Sequence, residues 1–198
     1  MKTLFKKRFA VFLIITAISC TKESINKTSN SQLQANTKQA LSFTIGQHYG
    51  GGIIFYIDNT GQHGLIADTV DLGAYPWANV PFDSIGTTSL RIGTGKSNTR
   101  SIISLQGKTG NYAALMCARL KRNGYNDWFL PSLHELHQLW LQKSVVGGFV
   151  NGGYYWSSSE LVLADEFDLA WYVIFYIGRS NNAIGKGSEL LVRAVRTF

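Results

Sequence analysis

Cysteine is scarce in this chain: of its 198 residues, only Cys20 and Cys117 are cysteines. Beyond position 20 a single cysteine remains, so the globular part of the chain cannot form an intramolecular disulfide. Its stability must therefore come from a packed core. The residues for one are present, because all five tryptophans and all nine tyrosines lie beyond residue 45. About 150 residues is also an ordinary size for one domain.

The chain also lacks an apolar run long enough to span a bilayer, which takes about 20 residues. The N-terminal apolar run covers only residues 9–18, and it ends just before Ser19 and Cys20. It follows a positively charged segment that contains Lys2, Lys6, Lys7 and Arg8. A positive segment, a short apolar segment and a small residue before the cleavage point are typical of a secretory signal. We therefore predict that residues 1–19 are a cleaved signal peptide.

Cys20 allows a more specific interpretation of this signal. Residues 17–20 read Ala-Ile-Ser-Cys and resemble a bacterial lipobox, in which a small residue precedes the cysteine that is acylated before cleavage. Leucine is commoner at the position of Ala17, and an ordinary secretory signal that ends near a cysteine is the alternative. Acyl chains on Cys20 would make the membrane a partner, since each buried methylene contributes about 0.8 kcal/mol. The expected location is the bacterial cell envelope, with the outer membrane or the cell surface favoured.

Charge gives little support for a nucleic-acid partner. The formal net charge is +7, but four of the 19 basic residues lie in the signal, which leaves 15 against 12 acidic residues. The mature chain is thus only mildly basic. Residues 20–44 are rich in Ser, Thr, Asn, Gln and Lys and have no aromatic residue before Phe43. We interpret them as a polar flexible tether, followed by one globular domain at 45–198.

Periodicity predicts both helices and strands in this domain. An alanine-rich segment at 112–121 and a segment at 132–140 have helical spacing, and the second begins with Ser132 and Glu135 at capping-box positions. Residues 71–100 have the composition of long loops. Strand-like segments lie at 51–57, 63–67, 154–159, 170–177 and 190–195. Because helices and strands are segregated rather than alternating, the predicted fold class is α+β.

Several short blocks occur in a fixed order along the domain. They lie at residues 49–56, 61–65, 95–99, 124–132, 155–160, 170–173 and 192–196, together with Glu135, Leu136 and Phe175. As a set they resemble the Lcl C-terminal domain family, which is named from the C-terminal domain of bacterial collagen-like adhesins. The resemblance covers residues 46–198.

This resemblance implies a C-type-lectin-like fold, with two helices flanking antiparallel sheets and long loops on one face. It also implies an exported or surface protein, and glycan or glycosaminoglycan binding has been proposed for the adhesin. The calcium-binding tripeptides of true C-type lectins, Glu-Pro-Asn and Trp-Asn-Asp, are not found here. The paired cysteines of animal C-type lectins are missing as well. No metal site is carried over from the family.

Three patterns that resemble reactive sites receive structural interpretations instead. Residues 93–97 read Gly-Thr-Gly-Lys-Ser, but Leu90 replaces the first glycine of a phosphate loop, and we expect neither a strand before the segment nor a helix directly after it. His134 and His137 are three apart, whereas the zinc-protease pattern needs a spacing of four. Cys117 lies on an apolar helix face and is expected to be an inert core thiol. No catalytic residue, metal or cofactor is therefore assigned.

Two arginines near the C-terminus cannot both be on one face of a regular strand, because Arg193 and Arg196 are an odd number of residues apart. We therefore expect one of them to be buried and paired. Asp127 and Glu160 are the candidate partners.

Ligand-binding residues are expected on two loops with exposed-looking aromatic and amide side chains, at 74–79 and 178–186. Loops held by a rigid base are the usual place for binding. An aromatic ring can stack on a sugar face, and an amide or guanidinium can bind its hydroxyl or anionic groups. The candidate residues are Tyr75, Trp77, Asn79, Arg179, Asn181 and Asn182. The alternative is a pair of solvated loops with a packed Trp77.

These features favour a non-catalytic, lipid-anchored surface module that binds a ligand, with glycans as one candidate class and a surface protein as another. Two alternatives stay open. The domain could be an assembly or structural subunit of a cell-surface complex. It could also be an enzyme on a fold like that of formylglycine-generating enzymes, although those that use a cysteine pair are not matched by Cys117 alone.

The lipobox interpretation predicts that the protein incorporates labelled palmitate in its native host and that Cys20→Ser abolishes the labelling. The physical reason is that Cys20 carries the only thiol before residue 117. The measurement is radiolabel or click-label detection on the purified protein. Equal labelling of wild type and Cys20→Ser would contradict it.

Overall fold

The computed structural model describes residues 42–163 and 166–198. The predicted signal peptide, Cys20 and nearly all of the tether lie outside these residues. Gln39–Phe198 form one compact unit, which contains the whole of both hydrophobic cores described below. Within the described ranges, no helix is long and apolar enough to cross a bilayer.

The described residues form nine strands and four helices, which confirms the α+β class. The strands are β1 (His48–Tyr49), β2 (Gly52–Ile57), β3 (Gly64–Ala67), β4 (Ala74–Tyr75), β5 (Tyr154–Leu163), β6 (Glu166–Ile174), β7 (Arg179–Gly185), β8 (Leu190–Leu191) and β9 (Val195–Thr197). The helices are α1 (Gly95–Gln106), α2 (Ala113–Arg119), α3 (Leu133–Leu141) and α4 (Lys143–Val146). Two of these helices, α2 and α3, were expected from the sequence.

The strands make two sheets. One has the order β1-β2-β3-β9 and is antiparallel throughout. The other has the order β4-β8-β5-β6-β7, in which only β5 and β8 run parallel. The predicted hairpin is confirmed as β2 and β3. The predicted strand at 190–195 is instead two short strands, β8 and β9, because the chain leaves one sheet and enters the other at Val192–Ala194.

The prediction of loop throughout 71–100 was wrong at its end, since α1 begins at Gly95. The same helix corrects the expectation that no helix directly follows the segment at 93–97. The sequence does not show the apolar periodicity of a helix here because the inward face is mostly polar: it buries Asn98, Thr99 and Gln106 beside the single fully buried apolar side chain, Ile102. Asn98 explains the arrangement. Its amide group exchanges hydrogen bonds with the backbone of Ser89 at 2.9 and 2.7 Å, so it ties the preceding loop to the helix.

The loop predicted at 178–186 is also corrected, because most of it is the edge strand β7. Its backbone pairs antiparallel with β6, with Trp171 opposite Ala183 and Tyr172 opposite Asn182. Ser and Asn residues have low intrinsic strand preference, but pairing with a neighbouring strand overrides that preference.

Two apolar clusters fill the domain. One includes Trp77, Ile102 and Trp156, and the other includes Phe129 and Tyr155. Cys117 belongs to the first cluster and has no exposed surface. Burial, and secondarily the charge of Asp68, raises the pKa of its thiol well above the ordinary value. This agrees with the expectation of an unreactive core cysteine.

The carboxylate of Glu135 joins the starts of α1 and α3. The capping box is confirmed: Ser132 accepts from the Glu135 N–H, and Glu135 accepts from the Ser132 N–H at 2.8 Å. The same carboxylate also accepts from the N–H of Gly93 at 2.7 Å and of Gly95 at 3.4 Å. Two amides of the segment that resembles a phosphate loop, those of Gly93 and Gly95, are thus directed at a carboxylate of the protein itself. A side chain at Gly95 would collide with this carboxylate.

Burial raises the pKa of Glu135, against the backbone and side-chain hydrogen bonds that lower it. We predict that Glu135→Ala lowers the free energy of unfolding by about 2–3 kcal/mol, because buried N–H groups lose their acceptor. Glu135→Gln, which keeps one acceptor oxygen, should lose less. The exposed neighbour His134 offers a control, since His134→Ala should change stability by less than about 0.5 kcal/mol. Urea titration at neutral pH measures all three. A Glu135→Ala protein as stable as wild type would contradict the prediction.

Candidate ligand-binding cleft

The three candidate residues of the 74–79 segment differ in their exposure to solvent. Tyr75 is half-buried on β4, and its hydroxyl donates to the Leu72 carbonyl at 3.1 Å. Asn79 is exposed beside Gly110. Trp77, in contrast, has no exposed surface.

Trp77 is therefore corrected from a ligand-stacking residue to a core residue. Its indole N–H donates to the Ser157 carbonyl at 2.7 Å, and the Lys186 amine lies 5.2 Å from its ring centroid. Its backbone N–H donates to the Lys186 carbonyl at 2.8 Å. The ring is thus covered by protein atoms, which agrees with the alternative interpretation of a packed tryptophan.

The two predicted ligand loops do not form one site. Tyr75 is on β4 and Arg179 and Asn182 are on β7, which are the opposite edges of the five-stranded sheet. Four strand spacings separate these edges, a distance of about 19 Å. Arg179 is exposed, Asn182 is half-buried, and the side chain of Asn181 lies outside what the structure describes.

An open cleft of ≈ 490 Å³ lies between α4, the loop 147–152 and the turn that joins β6 to β7, and none of the sequence-predicted ligand residues lines it. We call it the α4 cleft. Its walls include the backbone of Gly147, Gly148 and Gly152 and the side chains of Lys143, Ser144, Phe149, Val150, Asn151, Phe175 and Tyr176. Aromatic, amide, hydroxyl and ammonium groups therefore meet in one concave surface.

Tyr176 is the most exposed aromatic residue of the cleft, at 72% of its surface. The sequence placed it within a strand at 170–177, but β6 ends at Ile174 and the next four residues form a turn. Gly178 permits this turn: it has a φ of 72° and packs on Trp140, where a Cβ would collide with the indole ring. The turn projects Tyr176 toward solvent.

Lys143 is held at the base of the same turn. Its ammonium group donates to the Phe175 carbonyl at 3.0 Å and lies 4.8 Å from the centroid of the Trp140 ring. The Trp140 indole N–H donates to the same carbonyl at 3.1 Å. The positive charge is thus fixed at the edge of the cleft.

The loop 147–152 is held from below by Arg193, whose side chain has no solvent exposure. Its guanidinium donates to the carbonyls of Gly148 at 2.6 Å and Gly147 at 3.3 Å and pairs with Asp71 at 2.6 Å. It also lies 4.0 Å from the Phe149 ring centroid. Gly148 is needed here because a Cβ would meet the Thr69 carbonyl oxygen at 2.6 Å.

A second contact fixes the same loop. The Tyr155 hydroxyl donates to Asp71 at 2.7 Å and accepts from the Val150 N–H at 2.8 Å. Burial, followed by the hydrogen bond to Asp71, raises the pKa of Tyr155 well above its ordinary value. The hydroxyl therefore remains a donor, so Asp71 holds Arg193 and the loop together.

The expectation that one C-terminal arginine is buried and paired is confirmed and extended to both. Arg196 pairs with Asp127 at 2.7 Å, as one candidate pairing proposed. Glu160, the other candidate, pairs instead with Lys186 at 2.6 Å. Arg193 pairs with Asp71. The sequence did not indicate this partner because the two residues are far apart in the chain.

No family model matches the chain, and no curated protein matches it. The residues that the structure describes contain no group of three or more His, Cys, Asp or Glu side chains that could hold a metal ion. His134 is exposed and His137 is half-buried.

The cleft residues were missed because nothing in the sequence marks Lys143, Asn151 and Tyr176 as neighbours. The signal that could have found them is the density of glycine at 147–153 and at 178, which indicates turns on both sides of the cleft.

Proposed function

We propose that this protein is an exported, lipid-anchored protein of the bacterial cell envelope, and that its domain is a non-catalytic module that binds a glycan in the α4 cleft. The observation that carries the proposal is the exposed ring of Tyr176 beside hydrogen-bonding groups in an open concave surface. A tyrosine ring has an apolar face and a polar tip. It suits a sugar, which offers both C–H faces and hydroxyl groups.

The composition of the cleft supports this assignment. Tyr, Ser, Gly and Asn predominate among its lining residues, as they do in adaptable binding surfaces such as antibody loops. Its walls are a loop and a turn held by a rigid base, which is the usual arrangement for ligand sites. The ammonium group of Lys143 would favour a sugar that carries a carboxylate, sulfate or phosphate.

We further propose that the domain belongs with the Lcl C-terminal domains and has their C-type-lectin-like fold. The order of the sequence blocks supports this, as does an α+β domain whose helices flank two mainly antiparallel sheets. The expectation of two helices is exceeded by α1 and α4. The tether and the lipid on Cys20 rest on the sequence alone.

We predict that residues 21–198 bind one or more sugars on a glycan array and that Tyr176→Ala lowers the affinity five- to thirtyfold, which corresponds to about 1–2 kcal/mol. Tyr176→Phe should keep most of the affinity, because it keeps the ring. Isothermal calorimetry with the best array ligand measures the three proteins.

Asn79→Ala is the matched control for this experiment. It removes an exposed amide from the other loop that the sequence pointed to, so it should bind as wild type does. Loss of binding in Asn79→Ala with no loss in Tyr176→Ala would contradict the cleft assignment. Failure to bind any glycan would contradict the proposed ligand class.

A further inference from the structure

Positive charge is strongly segregated along the chain. Residues 84–126 contain seven Lys and Arg residues and no Asp or Glu. This segment includes α1, α2 and the loops around them. The mature chain is only mildly basic, so the rest of it must be net acidic. Where such cations share one surface, that surface attracts anions.

Three of these cations lie around a second cleft, of ≈ 500 Å³, on the outer side of α1. Arg100 and Lys108 line it, and the guanidinium of Arg119 donates to the carbonyls of Lys108 at 2.6 Å and Gly110 at 3.1 Å. Lys96 is one turn before Arg100 and thus on the same side of the helix. We call this surface the α1 face.

Arg100, Lys108 and Arg119 have no carboxylate partner among the described residues, whereas Lys96 interacts electrostatically with Asp127. The ion pairs of the described residues use Arg122, Lys186, Arg193 and Arg196 instead. Arg100, Lys108 and Arg119 are all exposed. Their charges therefore face solvent without internal neutralisation.

Apolar side chains are exposed on the same helix and the loop beside it. Leu105 is 51% exposed, and Phe82 is 77% exposed. The loop is fixed to the helix by Gln106, whose side-chain amide bonds both the N–H and the carbonyl of Val80, at 2.5 and 3.1 Å. Asp83, the chain neighbour of Phe82, is exposed as well, so it limits the positive surface in that direction.

We propose that the α1 face docks on a bilayer that contains anionic lipids, with Arg100, Lys108 and Arg119 at the headgroups and Leu105 and Phe82 entering the acyl boundary. Cations beside exposed apolar side chains are what interfacial membrane binding requires. An anionic polysaccharide would attract the cations equally well, but it has no apolar layer to receive Leu105 and Phe82. The proposal depends neither on the lipid at Cys20 nor on a ligand in the α4 cleft.

The test uses residues 21–198, which include the entire compact unit and carry no acyl chain. Sedimentation with vesicles measures partition onto phosphatidylcholine alone and onto phosphatidylcholine mixed with phosphatidylglycerol. We expect binding only to the mixed vesicles, weakening as salt rises. The double variant Arg100→Ala, Lys108→Ala should partition about 25-fold more weakly, at about fivefold per cation.

Two further variants separate the possible explanations. The exchange Arg100→Lys, Lys108→Arg keeps every charge, so it should leave partition onto vesicles unchanged. A site in which the Arg100 guanidinium binds a carboxylate or sulfate group bidentately would lose affinity in this variant. Leu105→Ser should weaken vesicle binding and leave binding to soluble alginate unaffected. Circular dichroism checks that each variant is folded.

Equal partition onto both vesicle types would overturn the proposal, and so would full binding by the double alanine variant. Binding to alginate without binding to anionic vesicles would also overturn it, and would assign the α1 face to a polyanion instead. Loss of glycan binding in Tyr176→Ala bears on the α4 cleft alone, so the two proposals can fail separately.

Discussion

A guanidinium group that is removed from water needs an acceptor for its N–H groups and a counter-charge, or its burial costs several kcal/mol. Arg193 satisfies both needs with Asp71 and with the carbonyls of Asp68, Gly147 and Gly148. Those carbonyls belong to two different loops, so the requirement of one side chain fixes the position of both. The α4 cleft is the space bounded by one of these loops. Its shape follows from the need to satisfy Arg193.

Buried carboxylates likewise fix the backbone of other irregular segments. Glu135 accepts backbone N–H groups at the start of α1, and Glu160 accepts those of Ile85 and Gly86 while it pairs with Lys186. A long loop without regular hydrogen bonding can pack closely only if its amides find partners. These carboxylates supply the partners, so the loops before α1 can pack closely against the core.

The sequence predicted the elements whose signals are local. The hairpin, the capping box at Ser132 and Glu135, and the α+β class all depend on neighbouring residues. It did not predict α1, because that helix buries amides and hydroxyls rather than an apolar stripe. It also misplaced Trp77, since composition does not show that a tryptophan in a loop is covered by Lys186, 109 positions away in the chain. The α4 cleft depends on contacts between distant segments, as does the pairing of Asp71 with Arg193.

Hydrogen exchange in Asp71→Asn tests most directly whether Asp71, Arg193 and Tyr155 hold the loop 147–152 in place. The substitution keeps the shape of residue 71 and removes the charge that faces Arg193. We expect the Val150 amide, which donates to Tyr155, to exchange much faster than in wild type, while the amides of Ile54 and Ile66 in the four-stranded sheet keep their rates. Unchanged protection of Val150, or an equal loss at all three amides, would contradict it.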